Sequence, residues 1–254
     1  MLSFDRAGSG EPLLLIHPLG GGRFVWDPVL PLLTPTRDVI AVDLPGFGAS
    51  PRLPAIGDHS AAGLAREVAG LLDALGLDDA HLAGNSLGGW VALELERMGR
   101  ARSVTAIAPA GLWPKPLGSR PGPDTRAIGS ALRPLLSLLM RSRRVRRRIL
   151  AGTVAHPDRV PVEHARRLVT SYLDAPGFDA TNRAMRSNVF RLEPTATPVT
   201  FAWPEHDRLV SIPRGLPPFV RAVGLAGCGH VPMWDDPEQV AELLLAGSRE
   251  PTAA

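Results

Sequence analysis

The sequence feature that most constrains the fold is a regular alternation of short apolar runs with amphipathic stretches. The apolar runs occupy residues 12–17, 38–43, 80–85, 103–108, 198–203 and 220–225. A run such as PLLLIH, at residues 12–17, has no polar side to face solvent, so it is typical of a parallel strand buried on both faces. We therefore predict an α/β fold with a mostly parallel central sheet and helices on both of its faces.

Three amphipathic stretches between or after these runs predict helices. In residues 61–75, leucine and valine recur at steps of three and four residues, so one face of the predicted helix is apolar. Residues 87–98 and 237–246 show similar patterns. These helices have the apolar faces that are needed to cover the sheet.

Between residues 111 and 197 the alternation stops, and the chain becomes rich in proline and arginine. Pro161 begins a pattern typical of the first turn of a helix, and this pattern continues through Tyr172. Because the stretch lies between two predicted strands, we predict a helical insertion at residues 111–197 that acts as a cap. The α/β core would then consist of residues 1–110 and 198–254.

The composition excludes several classes of protein. The 254 residues are 44% hydrophobic and 21% charged, which is ordinary for a globular protein and excludes an intrinsically disordered one. The single cysteine, Cys228, excludes an internal disulfide framework and a multi-cysteine zinc site. Since no run reaches the roughly 18 apolar residues of a membrane span, and the amino terminus lacks a secretory layout, we expect a cytoplasmic protein without stable membrane insertion.

Positive charge is concentrated in the helical insertion. Residues 111–195 contain 16 basic and 6 acidic residues, whereas the rest of the chain contains 12 basic and 19 acidic residues. The arginine run at residues 141–148 has no interleaved aromatic residues, so we expect no nucleic-acid partner. We interpret the run as the solvated outer side of the insertion, with the apolar residues 134–140 as its inner side. Attraction of anionic substrates or of a membrane surface remains an alternative.

The strongest local motif is Gly-Asn-Ser-Leu-Gly-Gly at residues 84–89, between a predicted strand and a predicted helix. A serine in this context lies on a tight strand-to-helix turn, where Gly84 and Gly88 avoid clashes with the neighbouring backbone. Ser86 is therefore the candidate nucleophile. The backbone N–H of Leu87, at the start of the helix, is a candidate donor to a developing oxyanion.

A second motif, His-Pro-Leu-Gly-Gly-Gly at residues 17–22, follows the first predicted strand. Its glycines allow a sharp turn, and the backbone N–H of Leu19 is the candidate second oxyanion donor. Pro18 has no N–H to donate. We expect His17 to order this loop through hydrogen bonds rather than to act as a catalytic base.

A serine nucleophile needs a base that is itself oriented by an acid. His230 follows the last predicted strand and Asp207 follows the strand before it, so both are expected at the carboxyl edge of the sheet, where Ser86 emerges. The chain order Ser86, Asp207, His230 matches the order of a Ser…Asp…His triad on such a sheet. The competing acids, which we interpret as solvated loop residues, are Glu205, Asp235 and Asp236.

Together these motifs resemble the α/β-hydrolase superfamily. Residues 43–50, with the sequence DLPGFGAS, are similar to the loop after the family's fourth strand, and residues 236–238 are similar to the lead into its final helix. The resemblance implies a small-molecule substrate and a hydrolase that needs no cofactor. The chain also has no His/Asp/Glu cluster at metal-ligand spacing, so we expect no metal.

Three functions are consistent with these residues. The first is hydrolysis of carboxylic esters or lactones through an acyl-enzyme. The second is carbon–carbon hydrolysis of ring-fission products, since the motifs around Ser86 and His230, with Trp234, are similar in such hydrolases and also in esterases. The third is a non-catalytic small-molecule receptor. Serine at position 86 argues against haloalkane dehalogenases and epoxide hydrolases, which have aspartate there. The sequence leaves the acyl group open, and monomer and homodimer are both allowed.

Overall fold

In the computed structural model, which describes residues 1–118 and 125–249, seven strands form one sheet in the order β1-β3-β2-β4-β5-β6-β7. The strands are β1 (Phe4–Gly8), β2 (Glu11–Ile16), β3 (Arg37–Val42), β4 (Ala80–Asn85), β5 (Ala101–Ile107), β6 (Val199–Pro204) and β7 (Val220–Leu225). The six strands β2 to β7 are all parallel to their neighbours within this group, and β1 pairs antiparallel with β3 at the edge of the sheet. The predicted α/β fold with a mostly parallel sheet is confirmed.

Helices cover both faces of this sheet. The described helices are α1 (Leu30–Leu33), α2 (Ala61–Ala74), α3 (Leu87–Arg97), α4 (Thr125–Ala131), α5 (Leu136–Leu139), α6 (Arg143–Leu150), α7 (Val162–Asp174), α8 (Phe178–Ser187) and α9 (Pro237–Gly247). Of these, α2 and α3 pack on one face of the sheet, and α1 and α9 pack on the other. Side chains of β2 alternate between the two faces: Leu14 and Ile16 pack with α2 and α3, whereas Leu13 and Leu15 pack in the cluster that includes α9. None of the described helices is long and apolar enough to cross a membrane.

The edge strand β1 is absent from the sequence prediction. Its residues FDRAG are exposed except for the half-buried Phe4, because the strand pairs on one side only and lies at the margin of the sheet. Arg6 of β1 forms an ion pair with Asp38 of β3 at 2.6 Å. A polar edge strand lacks the continuous apolar run by which the other six strands were predicted.

The described part of the helical insertion contains α4 to α8 between β5 and β6. The burial of its residues differs from the prediction in two places. Leu136 and Met140 are buried as expected of an inner side, but Leu135 and Leu138 are 52% and 65% exposed. Arg146, predicted on the outer side, is buried and donates to the backbone oxygens of Met140 and Arg141. Leu135 and Leu138 are three residues apart and Leu136 and Met140 are four apart, so the two pairs lie on different sides of the helical turns and one apolar run supplies both surfaces.

Candidate active site

Ser86 lies at the junction of β4 and α3 with φ 56° and ψ −115°, a backbone conformation that non-glycine residues rarely adopt. The turn depends on two glycines. A Cβ on Gly84 would lie 2.1 Å from the Gly88 carbonyl oxygen, and a Cβ on Gly88 would lie 2.1 Å from the Ile16 carbonyl oxygen. Only glycine therefore fits at both positions, and the strain at Ser86 is held by close backbone packing on either side.

His230 and Asp207 form a buried pair beyond the carboxyl ends of β7 and β6. The Nδ1 atom of His230 lies 2.7 Å from Oδ2 of Asp207. The other carboxylate oxygen, Oδ1, accepts hydrogen bonds from the backbone N–H groups of Leu209 at 2.7 Å and Val210 at 3.1 Å. Burial opposes ionisation of Asp207, but His230 and the two N–H donors outweigh it and hold the pKa of this carboxyl below its usual value.

Asn85 connects the serine turn to the histidine loop. Its Nδ2 donates to the His230 carbonyl oxygen at 3.0 Å and to the Ile107 carbonyl oxygen at 3.2 Å. Ser86 and His230 are both buried, with 7% and 5% exposure. Among the described residues no hydrogen bond joins the Ser86 hydroxyl to the His230 imidazole. The sequence patterns did not assign a role to Asn85, because its partner lies 145 residues further along the chain.

His17 orders the loop after β2, as expected from the sequence. Its Nε2 accepts from the Leu44 N–H at 2.9 Å, so Nδ1 carries the proton that is donated to the Pro18 carbonyl oxygen at 2.8 Å. The N–H of Gly21 also binds that oxygen, at 3.0 Å. Since a trans peptide aims its C=O and N–H in opposite directions, these bonds point the Leu19 N–H away from them.

The neutral state of His17 leads to a prediction about stability. Burial lowers the pKa of His17, more than the Pro18 carbonyl and the Asp43 charge raise it. The unfolded chain therefore takes up this proton first, so stability is full above about pH 6.5 and decreases as the pH falls toward the folded pKa. Urea unfolding at about pH 7.5 and 5.5 should show a smaller loss of stability on acidification in His17→Gln than in the wild type.

The exposed His206 provides the control for this measurement. The variant His206→Gln should retain the wild-type difference between the two pH values. His81, also buried with a lowered pKa, should leave part of the acid sensitivity in the His17 variant. An unchanged pH dependence in His17→Gln would contradict the assignment of a neutral, buried imidazole.

Asp235 was predicted to be a solvated loop residue, and this prediction is wrong. The residue is 3% exposed, and its carboxylate accepts three backbone N–H groups: Gly229 at 2.8 Å, Ala155 at 2.9 Å and His156 at 2.7 Å. Asp235 thus fastens the helical insertion to the loop that carries His230. Of the other competing acids, Glu205 is exposed as expected, and the half-buried Asp236 caps α9 through the Gln239 N–H.

Removal of the Asp235 carboxylate should destabilise the protein strongly. In Asp235→Ala three N–H groups lose their acceptor, and an unsatisfied buried donor costs about 1–3 kcal/mol, so we expect a loss of about 3–5 kcal/mol in urea unfolding. Asp236→Ala, which removes only a helix cap, should cost about 1 kcal/mol. Equal losses in the two variants would show that Asp235 has no special role in joining the two segments.

Side chains of the helical insertion also contact the loop that carries Leu19. The Ser171 hydroxyl donates to the Gly20 carbonyl oxygen at 3.1 Å. A Cβ on Gly20, whose φ is 77°, would lie 3.0 Å from the Tyr172 ring and 3.3 Å from the Phe178 ring. Residues of α7 and α8 are therefore in direct contact with the segment next to the proposed oxyanion donors.

The fold and this arrangement define a hydrolase of the α/β class. The chain belongs to the alpha/beta hydrolase family, whose model matches residues 13–243. It is 37% identical over 201 residues to the epoxide hydrolase EphH of Mycobacterium tuberculosis, covering 73% of this chain and 93% of that protein. It is 28% identical over 266 residues to a 2-hydroxy-6-oxo-6-phenylhexa-2,4-dienoate hydrolase of Burkholderia cepacia, covering 96% and 90%.

Solved structures support the same assignment. A membrane phospholipase A described as a bacterial virulence factor superimposes with a TM-score of 0.75 and 28% identity, covering 98% of this chain and 84% of that one. A structural likeness of this extent establishes the common fold across the whole chain, whereas substrate choice depends on the residues of each site.

Proposed function

We propose that this protein is a serine hydrolase that cleaves carboxylic esters or lactones through an acyl-enzyme. The observation that carries the proposal is the strained turn at Ser86, joined through Asn85 to the loop of the paired His230 and Asp207. In this proposal residues 111–197 form the cap that shapes the substrate pocket, over a core of residues 1–110 and 198–254.

Acylation is the first step of the proposed mechanism. His230 takes the Ser86 proton on Nε2 while Oγ attacks the substrate carbonyl carbon, and the carbonyl oxygen becomes an oxyanion. Asp207 keeps the proton of the neutral imidazole on Nδ1 and stabilises the imidazolium that forms. When the tetrahedral intermediate collapses, His230 returns its proton to the leaving alkoxide, and the alcohol departs.

The oxyanion is assigned to two backbone donors. Leu87 is the first residue of α3, so its N–H has no intrahelical acceptor. The N–H of Leu19 is directed by the loop that His17 orders. Each such donor contributes about 3 kcal/mol to transition-state stabilisation. Water then attacks the acyl-enzyme with His230 as base, which releases the carboxylic acid and restores Ser86.

The serine also bears on the relative that is named an epoxide hydrolase. Attack of a serine on an epoxide carbon would give an alkyl ether, which water does not readily cleave. Attack on a carbonyl gives an ester, which water hydrolyses when His230 acts again as the base. Ser86 therefore favours carbonyl substrates over epoxides.

Carbon–carbon hydrolysis of a ring-fission product is the second candidate. It is favoured by the similarity, over 96% of this chain, to the dienoate hydrolase of Burkholderia cepacia. Such a reaction also cleaves a bond next to a carbonyl and also benefits from an oxyanion site, so the residues named above would serve both reactions.

Turnover measurements separate these possibilities. The protein would be assayed with p-nitrophenyl esters of increasing chain length, with lactones, with a ring-fission dienoate and with an epoxide. Many turnovers per molecule on an ester or lactone, with the highest kcat/KM in that group, are expected. A preference for the dienoate would assign the second candidate. Labelling of Ser86 by a fluorophosphonate without turnover on any substrate would indicate a receptor and contradict the proposal.

A further inference from the structure

The helical insertion exposes four large apolar side chains in the stretch from α4 to α5. Ile128, Leu132, Leu135 and Leu138 are 52%, 46%, 52% and 65% exposed. Their spacing of four, three and three residues places them on one side of successive helical turns. The bonds from Leu132 N–H to Ile128 O and from Leu135 N–H to Leu132 O join these turns. We call these four residues the apolar stripe.

The apolar stripe is separate from the buried side of the same segment. Leu136 and Met140, which lie between and after the stripe residues, are 6% and 0% exposed and belong to a hydrophobic core cluster. The stripe is therefore additional to the face that packs on the protein. Large apolar side chains grouped on a surface commonly mark an interaction site.

Unpaired positive charge accompanies the apolar stripe. Residues 125–160 contain nine arginines and one acidic residue, Asp158. Within residues 141–148, four arginines are exposed and have no ion pair with a carboxylate in the described parts of the chain: Arg141, Arg143, Arg144 and Arg148. By contrast, Arg147 pairs with Asp158, and Arg133 pairs with Asp174. This surplus charge, which follows the stripe directly along the chain, thus remains available to an anionic partner.

We propose that the apolar stripe and these four arginines together bind the surface of an anionic lipid bilayer. Leucine and isoleucine side chains on one side of a helix enter the boundary between headgroups and acyl chains, while arginines beside them pair with lipid phosphates. A nucleic acid would match the charge but not the leucines. The attachment is peripheral, and it does not depend on the catalytic function proposed above.

Vesicle co-sedimentation of the full chain tests this proposal. The wild type should remain in the supernatant with phosphatidylcholine vesicles and should pellet with vesicles in which about a third of the lipid is phosphatidylglycerol. Added salt should weaken the binding, because it screens the arginines.

The first pair of variants tests the apolar contribution. Leu135→Ser combined with Leu138→Ser should lower partitioning onto anionic vesicles by at least about tenfold. The matched control is Ile56→Ser combined with Ile212→Ser, which removes two side chains that are 99% and 61% exposed but lie outside the stripe. The control should bind like the wild type.

The second pair tests the charge. Arg143→Gln combined with Arg144→Gln should lower partitioning about 25-fold, since each arginine near an anionic surface contributes about fivefold. The matched control, Arg214→Gln combined with Arg221→Gln, removes the same net charge from an exposed surface of the core. Circular dichroism and the melting temperature of each variant establish that it is folded.

Three results would overturn the proposal. One is a wild-type protein that stays in the supernatant with both kinds of vesicle. Another is binding that falls equally in a test variant and its matched control, since the position of the leucines or of the arginines would then not matter. The last is a wild-type dimer in sedimentation velocity that Leu135→Ser with Leu138→Ser converts to a monomer, without vesicle binding, because the stripe would then be covered by a second copy.

Discussion

Replacement of Ser86 by alanine is expected to lower kcat for ester hydrolysis by about 10⁶-fold, the largest effect of any single change considered for this chain. The substitution removes the oxygen that would attack the carbonyl. The fold should be unaffected, because the Ser86 N–H donates to Ile107 and its carbonyl accepts from Trp90 and Ala110, all through main-chain atoms. His230→Ala should cost about as much, since nucleophile and base act as one unit.

The measurement compares steady-state kcat of the purified variants with that of the wild type, together with their melting temperatures. Ser211→Ala, which removes an exposed serine hydroxyl, should retain wild-type activity and serves as the control. If Ser86→Ala kept a tenth of the wild-type rate while folded, the nucleophile would be another residue. The double variant Ser86→Ala with His230→Ala should be no slower than either single variant.

The strands and the placement of the candidate site were predictable because parallel topology leaves few alternatives. Buried apolar runs that are joined by helices form parallel strands, so the loops that follow these strands lie at one edge of the sheet. Ser86, Asp207 and His230 each follow a strand, and the structure has Asp207 and His230 in contact at 2.7 Å. The glycines around Ser86 were informative for a related reason, since only a residue without Cβ fits between these backbones.

Contacts between distant loops were not predictable from the same patterns. Asp235 resembled a solvated loop residue, because a single aspartate carries no sign of the three backbone N–H groups that surround it. Two of these belong to residues 155 and 156, some 80 positions earlier in the chain. The exposure of Leu135 and Leu138 was missed because a run with apolar residues at nearly every position does not reveal which side of a helix faces the protein.

The substitution Asp207→Asn is expected to cause the second large loss of activity, and the hydrogen bonds of the Asp207 carboxylate explain why. Oδ1 is held by the N–H groups of Leu209 and Val210, which require an acceptor. In Asp207→Asn the amide oxygen must keep that position, so the NH₂ group is turned toward His230. Nδ1 of the imidazole then accepts a hydrogen bond, and the proton of the neutral ring moves to Nε2. A ring protonated at Nε2 cannot take the Ser86 proton.

We therefore expect Asp207→Asn to lower kcat by about 10⁴-fold while the protein remains folded, because the variant fills the same volume with the wrong tautomer. Glu205→Gln is the matched control, since Glu205 is an exposed acid two residues away whose carboxylate binds only the Gly227 N–H among the described groups. It should stay within about twofold of the wild type. Imidazole nitrogen shifts in NMR spectra report the tautomer directly. A folded Asp207→Asn variant with a tenth of wild-type activity, or with the Nδ1 proton still in place, would show that another acid orients His230.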